Sequence, residues 1–157
     1  LFNFYKERGF TTCCNIGKLQ GTCSDKKLST ERMSVGNFVK TRKQLLSKLD
    51  AAMHFSQQLS SLQYKFLEMD GYDFLDFTGG YACVKKKEKH LEIRELLCGK
   101  DPYEEICSSL AALYNCETFE ALTPESGQEE TPFAVIRWIR EEIPIQDKNV
   151  YINLIFN

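Results

Sequence analysis

The apolar positions along this chain change period several times. From Asn37 to Met69 no Pro or Gly interrupts the sequence, and Leu45, Leu49, Ala52, Phe55, Leu59, Leu62, Phe66 and Met69 recur every three or four residues. That spacing lines up one stripe of an α-helix. Ser34 or Asn37 can accept from the first free N–H groups, and Asp70-Gly71 is a natural stop. The pattern predicts one uninterrupted helix over 37–69. Such a helix is either the central spine of a domain or a coiled-coil seam, since the stripe's mean step is close to the ~3.5 residues of a supercoil.

The period then shortens. Tyr72, Phe74 and Phe77 interleave with Asp73 and Asp76, Thr78-Gly79-Gly80 is turn chemistry, and Tyr81 to Val84 is β-prone. A β-hairpin is expected, with a helical turn over 72–77 as the alternative. The basic run 85–90 next opens an expected helix through Leu91, Ile93, Leu96 and Leu97, closed by Gly99. Asp101-Pro102, with Glu104 behind it, starts another helix whose apolar face is Tyr103, Ile106, Cys107, Leu110, Leu113 and Tyr114. Residues 123–131 read as an acidic loop. Thr131-Pro132 starts a further helix through Phe133, Ile136, Trp138 and Ile139, ended by Pro144. Val150 to Phe156 is a closing strand or a last helix.

At the other end, residues 1–10 are aromatic and amphipathic, with Gly9 ending a short helix or turn. Residues 15–34 lack apolar periodicity and read as a long polar loop. The expected fold class is therefore α+β and predominantly helical: a long central helix, a small β-hairpin and three to four shorter packed helices. The order of long helix, Gly-Tyr corner, hairpin and helix over Met69 to Leu97 resembles that of the adaptor modules called PUB domains. The resemblance covers that stretch alone and includes no distinctive motif.

Length and composition refine this picture. At 157 residues, 43% apolar and 27% charged, the chain is one ordinary globular domain over 1–157. It begins with Leu1, which suggests an excised fragment of a larger protein. The net charge of −2 argues against a protein that coats nucleic acid. The charge is uneven: residues 1–100 carry 17 Lys and Arg against 11 Asp and Glu, whereas 101–157 carry 3 against 11. Oppositely charged halves either attract each other or mark a partner-facing surface. Seven cysteines, an odd number with no secretory h-region before them, favour a reducing compartment, cytoplasmic or nuclear, over a disulfide framework. No apolar run is long enough to span a bilayer.

Candidate chemistry is sparse. There is no C-x-x-C pair, and His54 and His90 lie far from the Cys13, Cys14 and Cys23 group, so no metal is expected. Cys98, Cys107 and Cys116 are nine residues apart, about half a turn out of phase on a helix. No cysteine has a recognisable base beside it. The carboxylate pairs Glu104-Glu105, Glu129-Glu130 and Glu141-Glu142 are adjacent on helices and diverge. Asp73 and Asp76 lack a third ligand, and Thr78-Gly79-Gly80 is too short to cradle a phosphate. No catalytic residue and no cofactor are assigned.

What remains is a surface. Tyr72, Phe74, Phe77, Tyr81, Lys85, Lys86 and Lys87 are the candidate partner-binding residues, and the expected function is a non-catalytic protein–protein interaction module, an adaptor or scaffold domain. One alternative is nucleic-acid binding through the basic clusters at 40–48 and 85–90, with rings for stacking. The other is an enzyme whose site is too scattered in sequence to recognise. The pattern leaves the oligomeric state open.

Overall fold

The computed structural model describes residues 2–48, 53–54, 63, 66–99, 102–123, 129–136 and 150–151. Strands, not helices, organise them. In chain order the elements are α1 (Phe2–Lys6), β1 (Thr11–Thr22), β2 (Glu31–Arg32), α2 (Val35–Leu46), β3 (Met53–His54), β4 (Asp73–Phe77), β5 (Gly80–Lys87), β6 (His90–Cys98), α3 (Tyr103–Leu113), β7 (Thr118–Thr123), β8 (Glu129–Ile136) and β9 (Val150–Tyr151). Seven strands form one mixed sheet in the order β2-β4-β5-β6-β7-β1-β8, and β3 pairs in parallel with β9.

This corrects the predominantly helical expectation at four places. The helix read over 37–69 is α2, which Ser34 caps through its hydroxyl to the Asn37 N–H, and it ends at Leu46. A strand, β3, follows within the same stretch, and Gln63 and residues 66–68 are helical again. Leu49, Ala52, Phe55, Leu59 and Leu62 of the predicted stripe lie outside the described residues. α2 buries Phe38, Arg42 and Leu46, an i, i+4, i+8 face that the longer stripe did not include. The second correction is the helix expected over 85–99. It is two strands, β5 and β6, joined by the two-residue turn Glu88-Lys89 with Glu88 at φ 54°. Third, the helix expected from Thr131 is strand β8, and fourth, the polar loop 15–34 contains the second half of β1 and all of β2.

The sheet is covered on both faces, each by a helix. The hairpin read at 72–84 exists as β4 and β5, paired from Asp73↔Val84 to Phe77↔Gly80, and lies inside the sheet rather than beside a helix. On one face α3 packs Ile106, Cys107, Leu110 and Ala111 onto Ala82, Val84, Leu91, Ile93, Phe119 and Ala121. On the other, α2 packs Phe38 and Leu46 onto Phe74, Tyr81, Cys83 and Leu97. Phe38 is the hub of that second core, edge-on to Phe74 and Tyr81 with centroids at 4.8 and 5.6 Å.

Candidate active site

β6, α3 and β7 form a β–α–β crossover, the connection that parallel neighbours require. β6 and β7 pair in parallel from His90↔Thr118 to Ile93↔Ala121 and no further. β6 runs on to Cys98 against β5 alone, and β7 runs on to Thr123 against β1 alone. The two strands thus fork at their carboxyl ends. The cause is local. On the β5 side the register passes from Val84↔Ile93 to Cys83↔Glu95, so Arg94 is an extra residue, a β-bulge. The bulge bends β6 and reverses its inside–outside alternation. Before it Leu91 and Ile93 face α3; after it Leu96 and Cys98 do, while Glu95 and Leu97 turn toward α2.

A fork at the carboxyl end of parallel strands is where open α/β sheets take ligands. Beyond Ile93, no strand among the described residues pairs with the β7 side of β6. α3 begins close by. Pro102 precedes it in extended conformation (φ −60°, ψ 121°) and contributes no capping side chain, so the first-turn N–H groups have no side-chain acceptor from the cap. Glu104 and Glu105 stand in that first turn.

Polar side chains gather on the α2 face of the sheet at the last paired rungs, Glu92↔Glu120 and Ile93↔Ala121. Tyr72 donates its phenol proton to Glu92 Oε1 at 3.0 Å, and Lys87 Nζ stands 2.6 Å from Oε2. Arg94 Nη1 lies 3.8 Å from Oε1, and Lys85 Nζ sits 5.0 Å from the Tyr72 ring centroid. Burial acts to raise the Glu92 pKa, but Lys87, the Tyr72 hydroxyl and Arg94 together outweigh it and hold the carboxyl below its ordinary range. Burial first, then the adjacent carboxylate, pushes the Tyr72 phenol up to about 12. Across the strand pair, Lys18 at 2.8 Å and Gln20 at 2.9 Å hold Glu120 low in the same way.

Just past the bulge lies a different cluster. Glu95 is 0% exposed and Arg42 2%, and among the described residues they are the two buried charged groups. Arg42 approaches Glu95 through Nη2 to Oε1 at 3.2 Å and Nε to Oε2 at 3.5 Å. Tyr81 donates its hydroxyl proton to Oε2.

The fold separates the seven candidate partner-binding residues. Tyr72, Lys85 and Lys87 meet on the polar band just described. Phe74 and Tyr81 lie in the core under α2, and Phe77 in the core under α3. Lys86 points to the α3 side and donates to the Tyr114 carbonyl at 2.8 Å. The basic run 85–90 is thus divided between the two faces by strand alternation, and Arg42 of the 40–48 cluster is buried. Asp73 is held by Arg32 at 3.0 Å and by the Tyr114 hydroxyl at 2.6 Å. Among the described residues no three His, Cys, Asp or Glu side chains converge to hold a metal ion, and no described helix is long and apolar enough to cross a membrane. A shallow hollow of about 310 Å³, lined by Ser29, Thr30, Glu31, Asp76, Phe77 and Thr78, lies on the β2–β4 side, with β5 and β6 between it and the fork.

No protein-family model and no curated protein matches this chain. Solved structures do. A conserved protein of Enterococcus faecalis described as a probable N-acyltransferase superposes with a TM-score of 0.63 at 11% identity, over 82% of this chain and 37% of that one. A GCN5-related N-acetyltransferase from Kribbella flavida gives 0.58 at 13% identity, over 78% and 34%. A third, from Anabaena variabilis, gives 0.57 at 11%, over 88% and 42%. The fold is that of the GCN5-related N-acetyltransferases. At these identities the likeness is one of fold, and this chain spans well under half the length of each of the three. It nonetheless overturns the helical adaptor expectation: the fold is a mixed sheet shared with solved structures described as N-acyltransferases, which accords better with the alternative of an enzyme with a scattered site than with a helical scaffold.

Arg94, Glu92 and Glu95 were not among the sequence candidates. One signal was available. The apolar residues Leu91, Ile93, Leu96 and Cys98 change parity between 93 and 96, which a strand does only at a bulge.

Proposed function

We propose that this chain is part of an enzyme that transfers an acyl group to an amine, and that the β6–β7 fork is where the acyl donor lies. The observation that carries the reading is the end of parallel pairing at Ile93↔Ala121 together with the bulge at Arg94. The fold shared with N-acyltransferases supports it.

Such chemistry calls for an acyl thioester, of which acetyl-coenzyme A is the simplest test molecule; when bound, it supplies the activated acyl group. The residues present fit it in shape. The amide-bearing arm of the donor matches the edge of β6 past Ile93, where the described residues of β7 no longer pair with it. A phosphate matches the first turn of α3, Tyr103 to Glu105, where Pro102 supplies no capping side chain. The carboxylates of Glu104 and Glu105 oppose an anion there and make the site a weak one. Glu92 is too acidic and too well paired to serve as a base at neutral pH, so it acts as a fixed anion that orients Tyr72, Lys87 and Arg94 beside the fork. The partner is an amine-bearing acceptor. A reducing, intracellular compartment suits the free thiols of Cys23, Cys83, Cys107 and Cys116.

Thiol release from acetyl-coenzyme A, measured with a panel of primary amines and the full-length protein, tests this reading. Amine-dependent release is expected. Release that no amine stimulates, with no protection of the protein by the thioester, would refute it.

A further inference from the structure

We propose that the buried cluster of Arg42, Glu95 and Tyr81 positions the strand fork. In this arrangement α2 reaches through its own apolar face to hold the first residue past the bulge, and so keeps β6 turned away from β7. The functional consequence rests on the acyl-transfer reading; the structural one does not.

Three observations converge. Glu95 follows directly on the inserted residue Arg94 and is the residue opposite Cys83 where the register has just shifted. Its side chain is held from two further elements, by Arg42 of α2 and by the hydroxyl of Tyr81 on β5. The cluster is set in an otherwise apolar core of Phe38, Phe74, Cys83 and Leu97. A buried ion pair in such surroundings is poorly explained by stability, because well-packed apolar residues of similar volume often do as well or better. What an apolar pair does not supply is direction. The charged pair and the phenol fix where the Glu95 carboxylate sits, and with it the course of β6 beyond Arg94. A strand edge that receives a ligand needs that kind of support, since a misplacement of about 1 Å can cost on the order of 100-fold in rate. Arg42, Glu95 and Tyr81 are therefore positioning residues and touch no substrate in this account.

The test compares the full-length protein with the double variant R42M/E95L and with Tyr81→Phe. Two readouts are taken: hydrogen exchange of the β6 amides from Arg94 to Cys98, and kcat and KM for thiol release from acetyl-coenzyme A. The double variant should keep or raise its Tm. Its amides beyond Arg94 should exchange faster, and its kcat should fall on the order of 100-fold, with KM for the amine little changed. Tyr81→Phe should move both readouts in the same directions, by less. Unchanged exchange from Arg94 to Cys98 in a folded double variant would overturn the proposal, and so would a double variant that fails to fold, since the cluster would then be a stabiliser. If exchange rises locally in the variants while the unaltered protein releases no thiol, the positioning role stands and the acyl-transfer reading fails.

Discussion

Glu92 shows how a single carboxyl reports on its surroundings. Its pKa is depressed below the ordinary 4.5, so the folded state is stabilised by its ionisation above that value and loses that contribution as the pH falls through the lower, folded value. Glu92→Gln should therefore lower Tm at neutral pH, and the gap to the unaltered protein should close in acid well below pH 4.5. A gap that is independent of pH would show that the contact with Lys87 and Tyr72 is not ionic. Gly80 is a steric case. A Cβ there would meet the Leu97 carbonyl oxygen at 2.5 Å and the Phe77 ring at 2.7 Å, both within the sheet. Gly80→Ala should cost about 1–3 kcal/mol in chemical denaturation, the usual cost of overpacking. Neither residue stood out in the sequence. Glu92 looked like one charge among many, and Gly80 like a turn glycine, whereas the positive φ of that turn belongs to Gly79.

At the scale of elements, the misread helices have physical causes. The bulge at Arg94 turns the two-residue beat of β6 into steps of two, three and one from Leu91 to Leu97, which imitate the spacing of a helix face. The turn before it uses Glu88 at positive φ, a position where Gly or Asn would have announced a hairpin. α2 stops at Leu46 although the apolar stripe continues, because most helical stability comes from the surface a helix covers rather than from its own propensity. The start of α3 was legible in Pro102 and the acidic first turn, and its end uses Asn115 at φ 52°, with Cys116 N–H bonded back to the Ala111 carbonyl. The bulge account predicts that deleting Arg94, the inserted residue, leaves Ile93 and Glu95 on consecutive rungs against Val84 and Cys83, so Glu95 to Cys98 keep their faces and the variant still folds cooperatively, whereas inserting one alanine between Glu95 and Leu96 transposes Leu96 to Cys98 to the opposite face and abolishes cooperative folding; far-UV and near-UV circular dichroism distinguish the two. It also fixes the sign of another change. If a phosphate lies at the first turn of α3, then Glu104→Gln with Glu105→Gln should tighten the binding of acetyl-coenzyme A by about 0.3–1 kcal/mol per carboxylate removed. Calorimetric titration that shows weaker binding would place the phosphate elsewhere.

For the molecule as a whole, the sheet divides the buried residues into two cores, one under α3 and one under α2. Strands far apart in sequence meet in that sheet: β1 lies between β7 and β8. Such long-range pairings leave only a faint trace in local periodicity. The proposed site was still less legible, because it is defined by where the pairing of two strands ends, and no side-chain motif encodes that. The central claim is that this fork receives an acyl donor. Backbone amide chemical shifts of the isotopically labelled protein, followed during titration with acetyl-coenzyme A, test it most directly. Shifts concentrated at Arg94 to Cys98 and Tyr103 to Glu105 are the predicted result. Saturable shifts confined to the hollow at Ser29, Thr30, Asp76 and Thr78, or no shifts at all, would contradict it.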